Sequence, residues 1–204
     1  MTKVREFSDT REHLLATGEA IFRGKGFAAV GLAEILTAAG VPKGSFYHYF
    51  RSKEGFGVEM LTRYFAHYDH ELTTLLRDTP GSARDRLMHY FGLWAARGHR
   101  GDLQAADSAC LAVKLSAEVS DLSEPMRQVL LAGMEQVPRR LAEALLAGQA
   151  DGSVDPDLQP EALAKLLYQL WVGAELLTKV RRDGEAFACA LAQTHTLIRR
   201  TLDE

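Results

Sequence analysis

GLAEILTAAGVPKGSFYHYFRSKEGF, residues 31–56, contains two short amphipathic helices separated by a glycine turn. Leu32, Ile35 and Leu36 stand at i, i+3 and i+4, which puts one apolar stripe on the first helix. Gly40 can adopt the left-handed conformation that closes a helix, and Val41 starts the turn. Pro42 suits the first turn of the next helix, where its missing N–H has no intrahelical partner, and that helix runs to about Phe50. Ser52 is then a good N-cap for a long fourth helix, whose stripe is Phe56, Met60, Leu61, Tyr64, Phe65 and Tyr68. This is helix-turn-helix spacing. In such a unit the second helix enters the major groove, about 12 Å wide, while its neighbours brace it on the backbone. The second helix carries Lys43, Gly44, Ser45, Tyr47 and His48; Lys43 and the helix N-terminus bring positive charge, and Ser45 and His48 can hydrogen-bond to base edges or phosphates. Tyr47 and Tyr49 can reach phosphate with a hydroxyl, and Ser52 and Lys53 are placed to pin another phosphate. Phe46 and Phe50, at i and i+4, are the buried side of the same helix. A plain core hairpin would use all four aromatics as filling, and it would not gather Lys43, Ser45, Tyr47 and His48 after a glycine turn.

Outward from this segment the chain reads as all-α. Ala, Leu, Glu and Arg dominate, and alternating β-branched runs are missing. Asp9-Thr10-Arg11-Glu12 has capping-box spacing, which predicts a first helix of about four turns from there to Gly24 and Gly26. Further helices are expected at 82–98, 104–120, 124–148, 159–181 and 185–202, about nine in all. Pro138 should kink or break the 124–148 segment. Leu163, Leu166, Leu167, Leu170, Trp171 and Leu177 form one broad apolar face near the end of the chain, and Phe187, Leu191, Ile198 and Leu202 form another. Such faces can pack on each other or build a twofold four-helix interface. The domain division expected is 1–55 for DNA binding and 56–204 for regulation and dimerisation.

The 204 residues carry a formal net charge of −3, which excludes a protein whose whole surface binds nucleic acid. Residues 1–55 hold eight Lys/Arg against six acids, and the remainder sixteen against twenty-one, a basic head on an acidic body. MTKVREFSD has no apolar stretch of signal-peptide length, and no run of about eighteen apolar residues occurs, so a cytoplasmic protein that neither enters nor spans a membrane is expected. Cys110 and Cys189 have no metal-ligand spacing and suit free thiols. His67 and His70 are spaced to hold a metal, yet no Glu-x-x-His pair, phosphate loop or nucleophile elbow accompanies them. They read as a solvated face, and neither an enzyme, a metal nor a cofactor is expected.

Residues 31–56 resemble the DNA-binding signature of the TetR family: a Gly-Val turn, then Lys-Gly-Ser, a hydrophobic residue, Tyr-His-Tyr-Phe, and Arg-Ser-Lys-Glu. The resemblance covers residues 9–55 and implies a homodimeric repressor of about nine helices per subunit that reads a pseudo-palindromic operator on double-stranded DNA. Gly31 departs from it, since many relatives cap the second helix with Ser or Thr. A second resemblance is carried by DTREHLLATGE (9–19), PKGSFYHYFRSKE (42–54) and SACLAVKLSAEVSDLSEPMR (108–127), which are similar to the N-ethylmaleimide-responsive subgroup of that family. It implies release by reactive electrophiles or oxidants through a cysteine, and Cys110 stands at the matching position. A thiol reacts as thiolate, so nearby positive charge matters. Lys114, at i+4, and Lys179, by tertiary contact, are the candidates. The bland alternative for Cys110 is a small buried hydrophobe, and Cys189 beside Ala188 and Ala190 reads as packing. A rival inducer is a non-covalent small molecule in an apolar pocket lined by Tyr90, Phe91, Trp94 and Trp171, residues that also serve as simple core.

Overall fold

The computed structural model describes residues 2–99 and 110–198, with side chains from 10 to 96 and from 110 to 198. Among them are nine helices and no strand: α1 (Thr2–Lys25), α2 (Leu32–Ala39), α3 (Lys43–Tyr49), α4 (Lys53–Asp78), α5 (Ala83–His99), α6 (Leu111–Leu122), α7 (Glu124–Asp151), α8 (Pro160–Arg181) and α9 (Glu185–Leu197). No helix among the described residues is long and apolar enough to cross a membrane. Two expectations are corrected. Helix α1 already runs through Asp9, so that residue lies inside the helix rather than capping it. Helix α7 continues through Pro138, so of the expected kink or break the break does not occur, because losing one amide donor costs less than abandoning the apolar face on either side. The expected 104–120 helix starts at Leu111 within the described residues, and positions 104–109 and 199–202 lie outside them.

The chain divides into two compact units, Met1–Ala66 with Ala105–Gly133, and His67–Gln104 with Met134–Glu204. A linear cut at 55/56 therefore separates the helix-turn-helix from the rest of the compact unit that carries it, because α6 folds with the N-terminal helices. Aromatic rings fill the first unit. Phe22, Phe46, Phe50 and Phe56 are essentially inaccessible, with Phe50 and Phe56 edge to face at 4.9 Å. A Cβ at Gly18 would lie 2.4 Å from the Phe56 ring, so glycine is what lets α1 rest on it. His13 Nε2 donates to Ala39 O at 3.0 Å and ties α1 to the end of α2.

In the second unit α9 packs against α5 and α8. Trp171 is the hub. It stacks on Phe91 at 5.0 Å and Phe187 at 5.8 Å, and its indole N–H donates to Thr194 Oγ1 at 2.9 Å. Helix α5 opens with a reciprocal cap in which Ser82 Oγ accepts from Asp85 N–H and Asp85 accepts from Ser82 N–H, each at 3.1 Å. Arg140 on α7 grips Asp69 on α4 with two bonds of 2.8 and 2.9 Å. Those bonds hold the Asp69 carboxyl below the usual carboxylate range, although partial burial opposes them. The unfolded carboxyl titrates near pH ~3.9, so this contribution is complete above that pH and is lost as pH falls through the lowered folded value. Asp69→Asn should therefore show a shallower fall of Tm than the parent between about pH 5 and pH 3. Parallel slopes in differential scanning calorimetry would contradict the assignment.

Candidate nucleic-acid interface and thiol site

Gly40 takes φ 63°, ψ 28°, and its N–H reaches back to Leu36 O and Thr37 O, which ends α2 abruptly. Gly31 supplies no side-chain cap at the start of that helix, as its lack of a hydroxyl requires. Pro42 is the N-cap of α3 rather than its first helical residue; its φ of −63° suits either position. With Phe46 and Phe50 drawn into the aromatic core, the seven-residue helix must turn its other side outward. Lys43, Gly44, Tyr47 and His48 are exposed, and Ser45 and Tyr49 are half-buried at the edges. Tyr47 keeps 50% of its surface, and Lys43 Nζ lies 5.9 Å from its ring centroid. A Cβ at Gly44 would meet nothing in the chain, so no internal contact requires glycine there. The bare backbone is open to an outside surface.

Ser52 and Lys53, expected to contact phosphate, also make bonds within the chain. Ser52 Oγ accepts the Gly55 amide at 2.9 Å and caps α4. Lys53 Nζ donates to Phe27 O at 2.6 Å and lies 4.2 Å from the Phe27 ring centroid. Partial burial lowers its pKa, with nearby Glu118 opposing the shift. Both side chains thus serve the α1–α2 turn and the entry to α4.

Cys110 is buried at 7% exposure and is the N-cap of α6, with Tyr64 Oη 3.7 Å from its sulfur. Lys114 lies one turn further on, as the spacing predicts, yet its ammonium donates to Arg23 O at 2.6 Å and to Gly24 O. It thereby closes the C-terminus of α1. One more turn along, Glu118 accepts from Phe27 N at 3.1 Å and from Ala28 N. The guanidinium of Arg23, not foreseen from the sequence, stands 5.7 Å from the Tyr64 ring centroid and is a positive charge near the thiol's neighbour. Lys179 is exposed on α8 in the other compact unit. Cys189 is exposed rather than packed, because the buried face of α9 runs through Ala186, Ala190 and Thr194, and position 189 falls outside it.

Tyr90, Phe91, Trp94 and Trp171 are all buried and touch one another, with Trp94 and Trp171 centroids 5.6 Å apart. They form core in this structure, although Trp94 Nε1 is buried without a hydrogen-bond partner. His67 and His70 are exposed on α4, and the described residues hold no cluster of His, Cys, Asp or Glu arranged for a metal.

A short exposed helix set by a glycine turn on an aromatic three-helix head, joined to a helical regulatory body, defines a helix-turn-helix regulator of transcription. The chain belongs to the TetR family: the family described as bacterial regulatory proteins, tetR family, matches residues 14–60, and the tetracyclin repressor-like C-terminal domain matches residues 83–194. It is 46% identical to the HTH-type transcriptional repressor NemR of Escherichia coli (strain K12), over 93% of this chain and 94% of the relative. It is 34% identical to the HTH-type transcriptional repressor DhaR of Mycobacterium sp. (strain GP1), over 86% of this chain and 85% of that protein. The crystal structure of the reduced form of E. coli NemR superposes with a TM-score of 0.84, covering 93% of this chain and 97% of that one. Both relatives are helix-turn-helix transcriptional repressors.

Proposed function

We propose that the chain is a cytoplasmic, dimeric repressor that holds a pseudo-palindromic operator through Lys43, Gly44, Tyr47 and His48, with Ser45 and Tyr49 at the margin, and lets go when Cys110 is modified. The observation that carries the sensing half is the i, i+4, i+8 placement of Cys110, Lys114 and Glu118 along one face of α6. The sensor thiol opens a helix whose next two turns grip the end of α1 and the turn into α2. Similarity to a repressor crystallised in a reduced form supports the same reading. Addition to an activated alkene forms an S–C bond, and the thiol proton ends on the neighbouring carbon. Hypochlorous acid instead oxidises the sulfur by two electrons to a sulfenic acid and is reduced to chloride. Either product is larger than a thiol in a site with 7% exposure, and a close-packed site answers added bulk by moving its walls. Movement of α6 pulls on α1 through Lys114 and Glu118, and the spacing of two recognition helices no longer fits both half-sites. The second copy is taken to dock on α8, where Leu166, Leu176, Leu177 and Val180 are exposed at 50, 55, 45 and 74%.

The test is a gel shift on the chain's own upstream region, with and without N-ethylmaleimide or hypochlorite. The parent and Cys189→Ser should release, while Cys110→Ser should bind within about twofold of the parent and stay bound. Release of Cys110→Ser at the parent's dose would remove Cys110 from the mechanism. A second reading, a non-covalent inducer in the second unit, is favoured by one observation, the buried unpartnered indole N–H of Trp94. Release of Cys110→Ser by a neutral apolar ligand would support it.

A further inference from the structure

The second unit holds a cavity of about 340 Å³ whose wall is unusual in charge. Three guanidinium groups line it, Arg77 from α4, Arg86 from α5 and Arg140 from α7, against one carboxylate, Glu143. Arg140 is matched by Asp69, and Arg77 donates to Glu143 at 2.7 Å. Arg86 spends Nε on Leu76 O at 2.7 Å and Nη1 on Gly81 O at 2.6 Å, both neutral acceptors. It acts on Asp151 through space without a hydrogen bond to it. With Asp69 and Asp151 counted, the three guanidinium groups face three carboxylates, of which Glu143 alone lines the cavity. Thr73 adds a second, independent anomaly. Thr37, Thr62, Thr194 and Thr196 each return their hydroxyl to the carbonyl four residues back, at 2.9, 2.8, 2.7 and 3.2 Å. Thr73, in the last third of α4, does not, and neither does Thr178 on α8: both hydroxyls are buried without a hydrogen-bond partner, and Thr73 is among the residues that line the cavity. An unmet buried hydroxyl is a cost that a ligand oxygen would remove.

We propose that this cavity binds a small organic oxyanion, a phosphate monoester or a carboxylate, between Arg77, Arg86 and Arg140, with Thr73 as an additional donor. Glu143 is the internal stand-in. Its carboxylate sits between Arg77 and Arg140, the latter at 3.2 Å, and burial, which would raise its pKa, is outweighed by the bonds from the two arginines. Its side chain is 46% exposed, so it can swing outward when an incoming oxyanion takes over the guanidinium forks. The volume exceeds what inorganic phosphate needs and falls within the range of small-molecule sites, with Leu76 and Ala144 offering apolar wall for a carbon skeleton. This site is separate from Cys110, so the two proposals stand or fall independently.

Isothermal titration calorimetry of the full-length protein at constant ionic strength tests it, with inorganic phosphate, glycerol phosphate and succinate as ligands and glycerol as the neutral control. Saturable binding of at least one anion and none of glycerol is expected, and the tighter of the phosphate and succinate arms assigns the oxyanion class. Arg77→Gln should weaken binding about tenfold and Thr73→Val several-fold. Glu143→Gln should tighten it about tenfold by removing the internal competitor. Cys110→Ser should bind as the parent does. Thr73→Val keeps the side chain's shape, so it remains informative should Arg77→Gln unfold. No saturable heat with the parent and with Glu143→Gln, or equal affinities across the parent, Thr73→Val and Glu143→Gln, would overturn the proposal.

Discussion

Replacing Lys43 or Tyr47 with alanine is expected to weaken operator binding by about tenfold or more while leaving the fold and the dimer unchanged. Both side chains project from the exposed face of α3, and the contact recorded between them is the cation–π approach at 5.9 Å. Removing Lys43 therefore takes nothing from the aromatic core beneath, and removing Tyr47 takes one edge-to-face contact, at 5.6 Å, from the outer side of Phe46. Lys43→Ala should also lower the slope of log affinity against log salt by about one, the signature of one phosphate no longer neutralised. Tyr47→Ala should leave that slope nearly as it was, since tyrosine brings no charge. Fluorescence anisotropy over a salt series, with sedimentation equilibrium to confirm the dimer, reads both. Parent-like affinity in both variants would mean that this face of α3 does not meet DNA.

Phe46→Ala should do the opposite kind of damage. Phe46 is fully buried, with its ring 5.1 Å from that of Phe50 and 5.4 Å from that of Phe56. Truncating a buried phenylalanine costs about 3–5 kcal/mol, through lost burial and the cavity left behind. A seven-residue helix has little stability of its own and stays folded through what it packs against. Operator binding should be lost together with a low-temperature transition in calorimetry, whereas the transition of the second unit, built on Trp171, should persist. A variant that keeps both its Tm and its operator would show that α3 is held by something other than this cluster.

The two substitutions lie on opposite sides of the same short helix, and their difference was visible in the residue pattern. Phe46 and Phe50 at i and i+4 mark the inner side, and Lys43 and Tyr47, at the same spacing, mark the outer one. The turn at Gly40 and the cap at Ser52 were legible for the same reason: caps and turns are settled by residues within four positions of one another. The parts of Lys53, Lys114 and Glu118 were not. Lys53 reaches back 26 residues to Phe27 O, and Lys114 reaches 91 residues to Arg23 O. Glu118 takes two amides about ninety residues away. A backbone carbonyl or amide is offered by nearly every position, so such a bond leaves no pattern in the residues that make it. Cys189 was misplaced because Ala, Cys and Ala are small enough to suit either side of a helix.

What the residue order alone determined is the all-helical architecture, the helix-turn-helix and the outward side of its second helix, because apolar periodicity, capping and glycine conformation act over a few residues. The tertiary structure decided that α6 folds with the head, that its first three turns link Cys110 to the end of α1, and that three arginines and Thr73 line one cavity. Those depend on which distant surfaces meet, and burial of apolar area, which drives that meeting, has no direction of its own until the helices are packed.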